Sequence, residues 1–194
     1  MSRSKGRQLD TKAQLLTEAE TFARQRGFDG FSFADLADNA GIRKASVHYH
    51  FPAKADLSLA LIDHYREVFM DRLHQITATE TTASARLLQF VDLYRQASEG
   101  GRSLCLCVAL SVTQSALPTD STAALAAFHR DVIGWLESVF RLGGRDGSIR
   151  QISDPRAEAQ ATMAQVEGAQ IMARAAGHPA RFEAGIATLV GRTV

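Results

Sequence analysis

The stretch Phe31-Ser-Phe-Ala-Asp-Leu-Ala-Asp-Asn-Ala-Gly-Ile-Arg-Lys-Ala-Ser-Val-His-Tyr-His-Phe51 decides the fold. It reads as two short helices joined through a glycine. Ser32 is a good N-cap, because its hydroxyl can accept one of the N–H groups a helix start leaves orphaned, and Asp35 three residues on makes an acidic variant of the capping box. Phe33, Leu36, Ala37 and Ala40 give the first helix its apolar side. Gly41 ends it, since a residue with a Cβ takes φ > 0 only at a cost. A second helix over about Arg43 to His50 follows. Ala37 is small where the two helices would cross, and the apolar Ile42 and Val47 can dock the second onto the first. The other face then presents Arg43, Lys44, Ser46, His48 and Tyr49, which are cations, donors and aromatics of the kind that reach base edges and phosphates in a major groove. Helices joined in this way also occur in proteins that never touch DNA, so geometry alone leaves both readings open.

The neighbouring segments continue the helical pattern. Upstream, Leu15, Leu16, Ala19, Phe22 and Ala23 form a stripe at 3–4 spacing over about Leu9 to Arg26, with Gly27 placed for a left-handed C-terminal cap. Downstream, Pro52 suits the first turn of a long amphipathic helix carrying Leu57, Leu61, Tyr65, Val68 or Phe69, Leu73 and Ile76. Further helices are expected at about 81–99, 103–116, 120–142, 155–176 and 179–192. Gly100-Gly101, Pro118, Gly143-Gly144 with Gly147, and Gly177 mark the breaks between them. No sustained period-two alternation, hairpin signal or internal repeat occurs, so the expected fold class is all-α.

Composition narrows the function classes. The 194 residues are 45% hydrophobic and 22% charged, which is globular rather than disordered. Apolar runs are only a few residues long, well short of the roughly 20 needed to span a bilayer. Residues 1–10 are basic and polar with no apolar segment after them, which argues against a secretory signal and for a cytoplasmic protein without a membrane partner. The net charge of +1 hides an asymmetry. Residues 1–54 hold nine Lys/Arg against six Asp/Glu, and all four lysines, whereas the remainder holds 13 basic against 15 acidic residues. A basic head on a slightly acidic body either meets a polyanion or is a solvated face.

A family resemblance resolves this choice. Leu16, Ala19, Phe22, Gly27, Phe33, Leu36, Ala37, the run Gly41-Ile-Arg-Lys-Ala-Ser-Val-His-Tyr-His-Phe51, and Lys54 fall in an order and spacing that resembles the N-terminal domain of the TetR family. The match covers about the first 55 residues; the rest fits only in helix count and length. The resemblance implies a three-helix helix-turn-helix domain over 1–52 and a helical ligand-binding and dimerisation domain over 53–194. Members are mostly homodimeric repressors that leave double-stranded operator DNA when a small molecule binds. Position by position, Ser32 would cap the first motif helix and meet a phosphate. Lys44, Ser46 and Tyr49 would lie on the recognition helix, with Tyr49 on the backbone or a thymine methyl. Lys54 would clamp a phosphate with help from the helix dipole. Arg43 stands where the family often has Ser, His48 where it often has Tyr, and Ala45 where Gly is frequent, so the base sequence read does not follow. Arg3, Lys5 and Arg7 form an arm that either reaches a minor groove or is a disordered tail. His48 and His50 diverge on a helix, so no metal site is expected, and His50 reads as a packing or capping residue.

The same resemblance implies that the last two helices pair with a second chain. Ala157, Ala161, Ala164, Gly168, Ala169, Ala173 and Ala175 permit close approach, and Phe182, Ile186, Leu189 and Val190 form a stripe, though both patterns equally serve an internal core. Dimerisation sets the spacing of two recognition helices to about one DNA turn, ~34–36 Å. An effector, either a small molecule or an electrophile, need only alter that spacing. Phe69, Phe90, Cys105, Phe128, Trp135 and Met163 are candidates to line its cavity. Cys105 and Cys107 diverge by about 200° on a helix, so they neither pair with each other nor chelate one metal. Ser103 as N-cap would place Cys105 in a helix's first turn, where the dipole favours a thiolate. The Gly-x-x-Leu-Cys-Leu opening resembles a TetR subset that senses electrophiles through cysteine. The other reading of both thiols is small buried hydrophobes, more so for Cys107. Two competing classes are a thiol enzyme with His129 as base and a helical interaction module. No motif orders a Cys–His pair, and neither a phosphate loop nor a zinc-spaced cluster appears, so no cofactor is expected.

Overall fold

A computed structural model describes the backbone of residues 2–113 and 117–194, and the side chains of 11–113 and 117–194. Among the described residues there are nine α-helices and no strand: α1 Ser2–Arg26, α2 Phe33–Ala40, α3 Lys44–His50, α4 Lys54–Thr79, α5 Ala83–Ala97, α6 Leu106–Ser111, α7 Thr119–Asp146, α8 Pro155–Ala176 and α9 Ala180–Val190. The chain forms two compact units. The first comprises Met1–Arg66 and Leu106–Leu125, the second Glu67–Cys105 and Ala126–Val194.

In the first unit the expected stripe of α1 is buried: Leu15, Leu16, Ala19, Phe22 and Ala23 all face inward. They are joined by Phe28, Phe31, Leu36, Val47, Phe51, Leu57 and Leu61. α6 also packs on α1, and the Ser58 and Ser121 hydroxyls, both fully buried, bond each other at 2.7 Å between α4 and α7. Helix α1 begins at Ser2, earlier than its stripe suggested, because polar residues can extend a helix that apolar periodicity does not mark. The side chains of Arg3, Lys5 and Arg7 lie outside the described residues. Gly27 has positive φ but not the left-handed helical conformation (φ 82°, ψ 157°), and it leads into a 3-10 turn at Phe28–Gly30 that the sequence reading did not anticipate. Pro52 precedes α4 by two residues instead of sitting in its first turn.

The second unit is built on α8 and α9, the most closely packed helix pair, with α5 against α8. Gly185 lies so near Ala169 that a Cβ there would come within 2.8 Å of the alanine's Cβ. Two helix expectations are corrected here. Gly143-Gly144 does not break α7, which runs on to Asp146; a Cβ on Gly143 would sit 3.0 Å from Ile152 Cδ1 and 3.1 Å from Ile149 Cβ. That glycine is a packing residue inside a helix, and the break falls at Gly147 (φ 72°). The helix expected over 103–116 is α6, Leu106–Ser111, and residues 114–116 lie outside the described residues.

Candidate nucleic-acid interface

Local chemistry positions each part of the helix-turn-helix. The Ser32 N–H donates to Asp35 Oδ2 at 2.6 Å, its hydroxyl donates to the same oxygen at 2.7 Å, and Asp35 N–H returns to Ser32 Oγ at 3.3 Å. This is the expected capping box, and the Ser32 bonds hold the Asp35 carboxyl below its ordinary pKa. Gly41 takes the left-handed conformation (φ 65°, ψ 31°), and Ile42 N–H reaches Ala37 O at 3.0 Å. The turn therefore spends the C-terminal carbonyls of α2. Val47 is fully buried and pins α3 onto α2, and Phe51, 1% exposed, ends α3 with its N–H on Val47 O at 2.8 Å. On the opposite face Arg43, Lys44, His48 and Tyr49 are exposed, Tyr49 by 68%, while Ser46 is half-buried. Arg43 is the N-cap residue rather than part of α3.

Ser32, Lys44, His48 and Lys54 converge on one cleft of about 360 Å³, with Phe31, Phe33, Pro52 and Ala53. His48 packs edge-on against Phe33, ring centroids 5.0 Å apart, and its Nδ1 lies 3.3 Å from Pro52 O. A carbonyl only accepts, so Nδ1 carries the hydrogen, and in the neutral ring Nε2 holds the lone pair. His50 is half-buried, and burial together with the nearby Lys12 charge lowers its pKa.

The Lys54 ammonium lies against the chain's own backbone. It donates to Phe28 O at 2.7 Å and to Phe31 O, and it lies over both aromatic rings, 4.9 Å and 4.3 Å from their centroids. Burial lowers its pKa, against the opposing pull of Asp29 and Asp35. The charge expected to reach outward to a phosphate is turned inward, onto the carbonyls of Phe28 in the 3-10 turn and of Phe31 just after it.

Five of the candidate effector residues form one cluster in the second unit. Phe69 meets Phe128 (5.3 Å between centroids) and Phe90 meets Trp135 (5.8 Å). Phe69, Phe90, Phe128 and Met163 are buried and Trp135 is half-buried, its indole N–H donating to Thr77 Oγ1 at 2.9 Å. Tyr94 ties the cluster together and was missed in the sequence. It contacts Phe69 and Phe90 at 6.0 and 5.1 Å, and its hydroxyl donates to Met163 Sδ at 3.4 Å. The only signal for it was its place at the end of α5's apolar side.

Cys105 and Cys107 are both buried and not joined by a disulfide. Cys105 precedes α6 instead of lying in a first turn, and Ser103 is buried, its hydroxyl donating to Leu104 O at 3.4 Å rather than capping α6. The Cys105 N–H is taken by Gln170 Oε1 at 2.9 Å, a partner without any sequence signal. Cys107 lies on α6, in the first unit. His129 bonds Glu167 through Nε2 at 3.1 Å. Among the described residues no His, Cys, Asp and Glu cluster could hold a metal, and no helix is long and apolar enough to cross a membrane.

With this geometry in hand, known proteins supply the comparison. Residues 15–61 match the family model of bacterial regulatory proteins, tetR family. The transcriptional regulator AcuR of Cereibacter sphaeroides is 31% identical over 153 residues, covering 77% of this chain and 70% of AcuR. The HTH-type transcriptional repressor NemR of Escherichia coli is 27% identical over 168 residues, 85% of this chain and 84% of NemR. The crystal structure of its reduced form superposes with a TM-score of 0.81 at 25% identity, covering 95% of this chain and 97% of NemR. A TetR-family regulator from Agrobacterium tumefaciens superposes with a TM-score of 0.90 at 28% identity, over 96% of this chain and 99% of that one.

Proposed function

Because the chain belongs to the TetR family, and is thus a transcriptional regulator and not an enzyme, we propose that it represses transcription by binding a palindromic operator as a homodimer. One observation carries this reading: α3 is fastened to α2 by its buried Val47 while Arg43, Lys44, His48 and Tyr49 stand exposed on the far side. Nothing in the packing of the first unit needs those four side chains in solvent, whereas a major groove does. Residues 1–52 are the DNA-reading part, with Ser46 and Ser32 at its edges, and 53–194 the effector and dimerisation part.

The partner surface is α8 and α9. Phe182, Ile186 and Leu189 are consumed inside the chain, which leaves Ile171 and Met172 of α8, 42% and 58% exposed, with Ala161, Ala164 and Ala175 as the contact face. The sign of regulation follows NemR, named a repressor.

Two effector routes fit the second unit. A non-covalent ligand would open the aromatic cluster of Phe69, Phe90, Phe128, Trp135 and Met163. An electrophile would have to reach Cys105, which is 2% exposed, through an opening of the segment before α6. Cys107, 1% exposed, is a packing residue in this reading.

A salt titration of binding to the DNA upstream of the protein's own gene tests the proposal, run with and without a thiol-reactive electrophile. Specific binding whose logarithm falls linearly with log salt is expected. Loss of binding on treatment selects the cysteine route, and indifference selects the non-covalent one. Absence of any specific duplex from a genome-wide selection would end the DNA-binding reading.

A further inference from the structure

We propose that Lys54 is a positioning residue that fixes the 3-10 turn Phe28–Gly30 to the start of α4 and so aims the helix-turn-helix, and that its charge is not spent on a DNA phosphate. The inference rests on the operator-binding reading above and assigns Lys54 a different role within it.

Four contacts converge on this ammonium. Two are hydrogen bonds to backbone carbonyls, of Phe28 and Phe31, lying 26 and 23 residues upstream of it. The other two are cation–π contacts with the rings of the same residues, which themselves meet edge to face at 5.6 Å between centroids. Phe31 also packs against Phe22 of α1 at 5.6 Å. The lysine therefore grips a segment anchored to α1, and that segment leads directly into Ser32, the cap of α2. One side chain links α1, the entry to α2 and the entry to α4.

Physical chemistry favours the inward use. A carbonyl facing no donor in a half-buried site carries a desolvation cost, and a cation between two carbonyls and two ring faces removes it. An ammonium suits this site because it is compact and offers three donors in any direction. Acidic groups stand nearby: Asp35 is committed to Ser32, and Asp56 accepts the Ala53 N–H at 2.8 Å. The N–H groups of Ser32 and Ala53 at this cleft are thus already answered by the chain's own carboxylates. A phosphate meets less free positive charge at Lys54 than the sequence suggests, while Arg43 and Lys44 remain exposed for it.

The experiment uses the unaltered full chain and two variants: Lys54→Met, which keeps length and removes charge, and Lys44→Ala as a phosphate-contact control. Operator affinity is measured across salt concentration, and thermal unfolding is followed separately. Lys54→Met should lower the unfolding temperature and weaken operator binding by roughly tenfold at every salt concentration, leaving the log–log slope unchanged; a lost phosphate contact flattens that slope by about 0.9. A flattened slope in Lys54→Met, or an unchanged unfolding temperature, overturns the proposal. If Lys54→Met does not fold, the unaltered protein still decides. With only four lysines in the chain, selective labelling resolves each ε-methylene by NMR. The Lys54 signal, assigned by its absence from Lys54→Arg and so told apart from Lys12, whose ammonium lies 5.8 Å from the Phe51 ring centroid, should be displaced by ring currents in the DNA-free protein and stay displaced when a duplex is added. A Lys54 signal at the free-lysine position overturns the proposal. Should the unaltered protein bind no operator, the unfolding and NMR arms still test Lys54, so the two readings fail separately.

Discussion

Gln170 joins the backbone of Cys105 to that of Tyr94: its Oε1 accepts the Cys105 N–H at 2.9 Å and its Nε2 donates to the Tyr94 carbonyl at 2.6 Å. A helix interior supplies no backbone partner for a coil segment, so a fully buried amide on α8 supplies it from the side. The Tyr94 carbonyl also accepts from Ser98 N–H at 3.1 Å, so the loss on removing the amide falls mainly on Cys105. Gln170→Leu, of similar volume, should therefore destabilise the protein by about 1–3 kcal/mol. Urea unfolding measures this, and a change under about 0.5 kcal/mol, the range of a surface substitution, would show that the amide is dispensable.

Gly143 and Gly144 are neighbours in α7 with opposite expectations. Alanine is worth up to about 1 kcal/mol more than glycine in a helix interior. A Cβ on Gly144 meets nothing within 4 Å, so Gly144→Ala should stabilise by roughly 0.5–1 kcal/mol. At Gly143 the same atom meets Ile149 Cβ at 3.1 Å, and the next residue is held by the Arg150 N–H to Arg192 O bond of 2.9 Å. The isoleucine's branch point cannot swing aside as a chain end would, so Gly143→Ala should destabilise. Thermal melts of the two variants should move in opposite directions, and a shared rise would mean that the loop yields.

That pair also shows what the sequence could and could not disclose. The stripe Leu15, Leu16, Ala19, Phe22 and Ala23, the capping box Ser32–Asp35, the turn at Gly41 and the docking residue Val47 were all legible, because each rests on a local rule of spacing or backbone conformation. Gly143 was misread because a glycine that ends a helix and one that admits a neighbour look alike without the neighbour. The reach of Lys54 to Phe28 and Phe31 and of Gln170 to Cys105 depends on chain segments 23 to 65 residues away. No periodicity encodes that. The family pattern located the exposed face of α3 but pointed Lys54 outward, since position in a motif carries no information about where a flexible side chain finds its partners.

His50 provides a pH test of the first unit. Burial and Lys12 lower its pKa below the ordinary value near 6.5. The unfolded chain then binds more protons than the folded one as the solution is acidified through 6.5, so folding stability rises with pH across that window and falls on acidification. Replacing His50 by Asn removes this contribution. The drop in unfolding temperature between pH 7.5 and 5.5 should be smaller in His50→Asn than in the unaltered protein, the other five histidines being common to both. An equal or larger drop in the variant would assign the acid sensitivity elsewhere.

His48 bears on which bases are read. With Nδ1–H given to the Pro52 carbonyl and the ring braced on Phe33, the neutral imidazole keeps a lone pair on Nε2. An acceptor in a major groove pairs with an exocyclic amino group, which adenine presents at N6 and cytosine at N4, and not with the acceptor atoms of guanine or the thymine carbonyl. In the operator there should be one position per half-site where deleting an amino group, by substituting purine for adenine or a 4-unsubstituted pyrimidinone for cytosine, weakens binding by about 1 kcal/mol. His48→Ala should bind both duplexes equally at that position while keeping its discrimination elsewhere. Tyr49→Ala serves as the contrast, since the Tyr49 side chain is 68% exposed and shares the face without sharing the bond to Pro52. It should weaken every duplex and leave the amino-group preference in place. If His48→Ala retains that preference, the imidazole only braces α3 against α2, and the base at that position is read by another side chain.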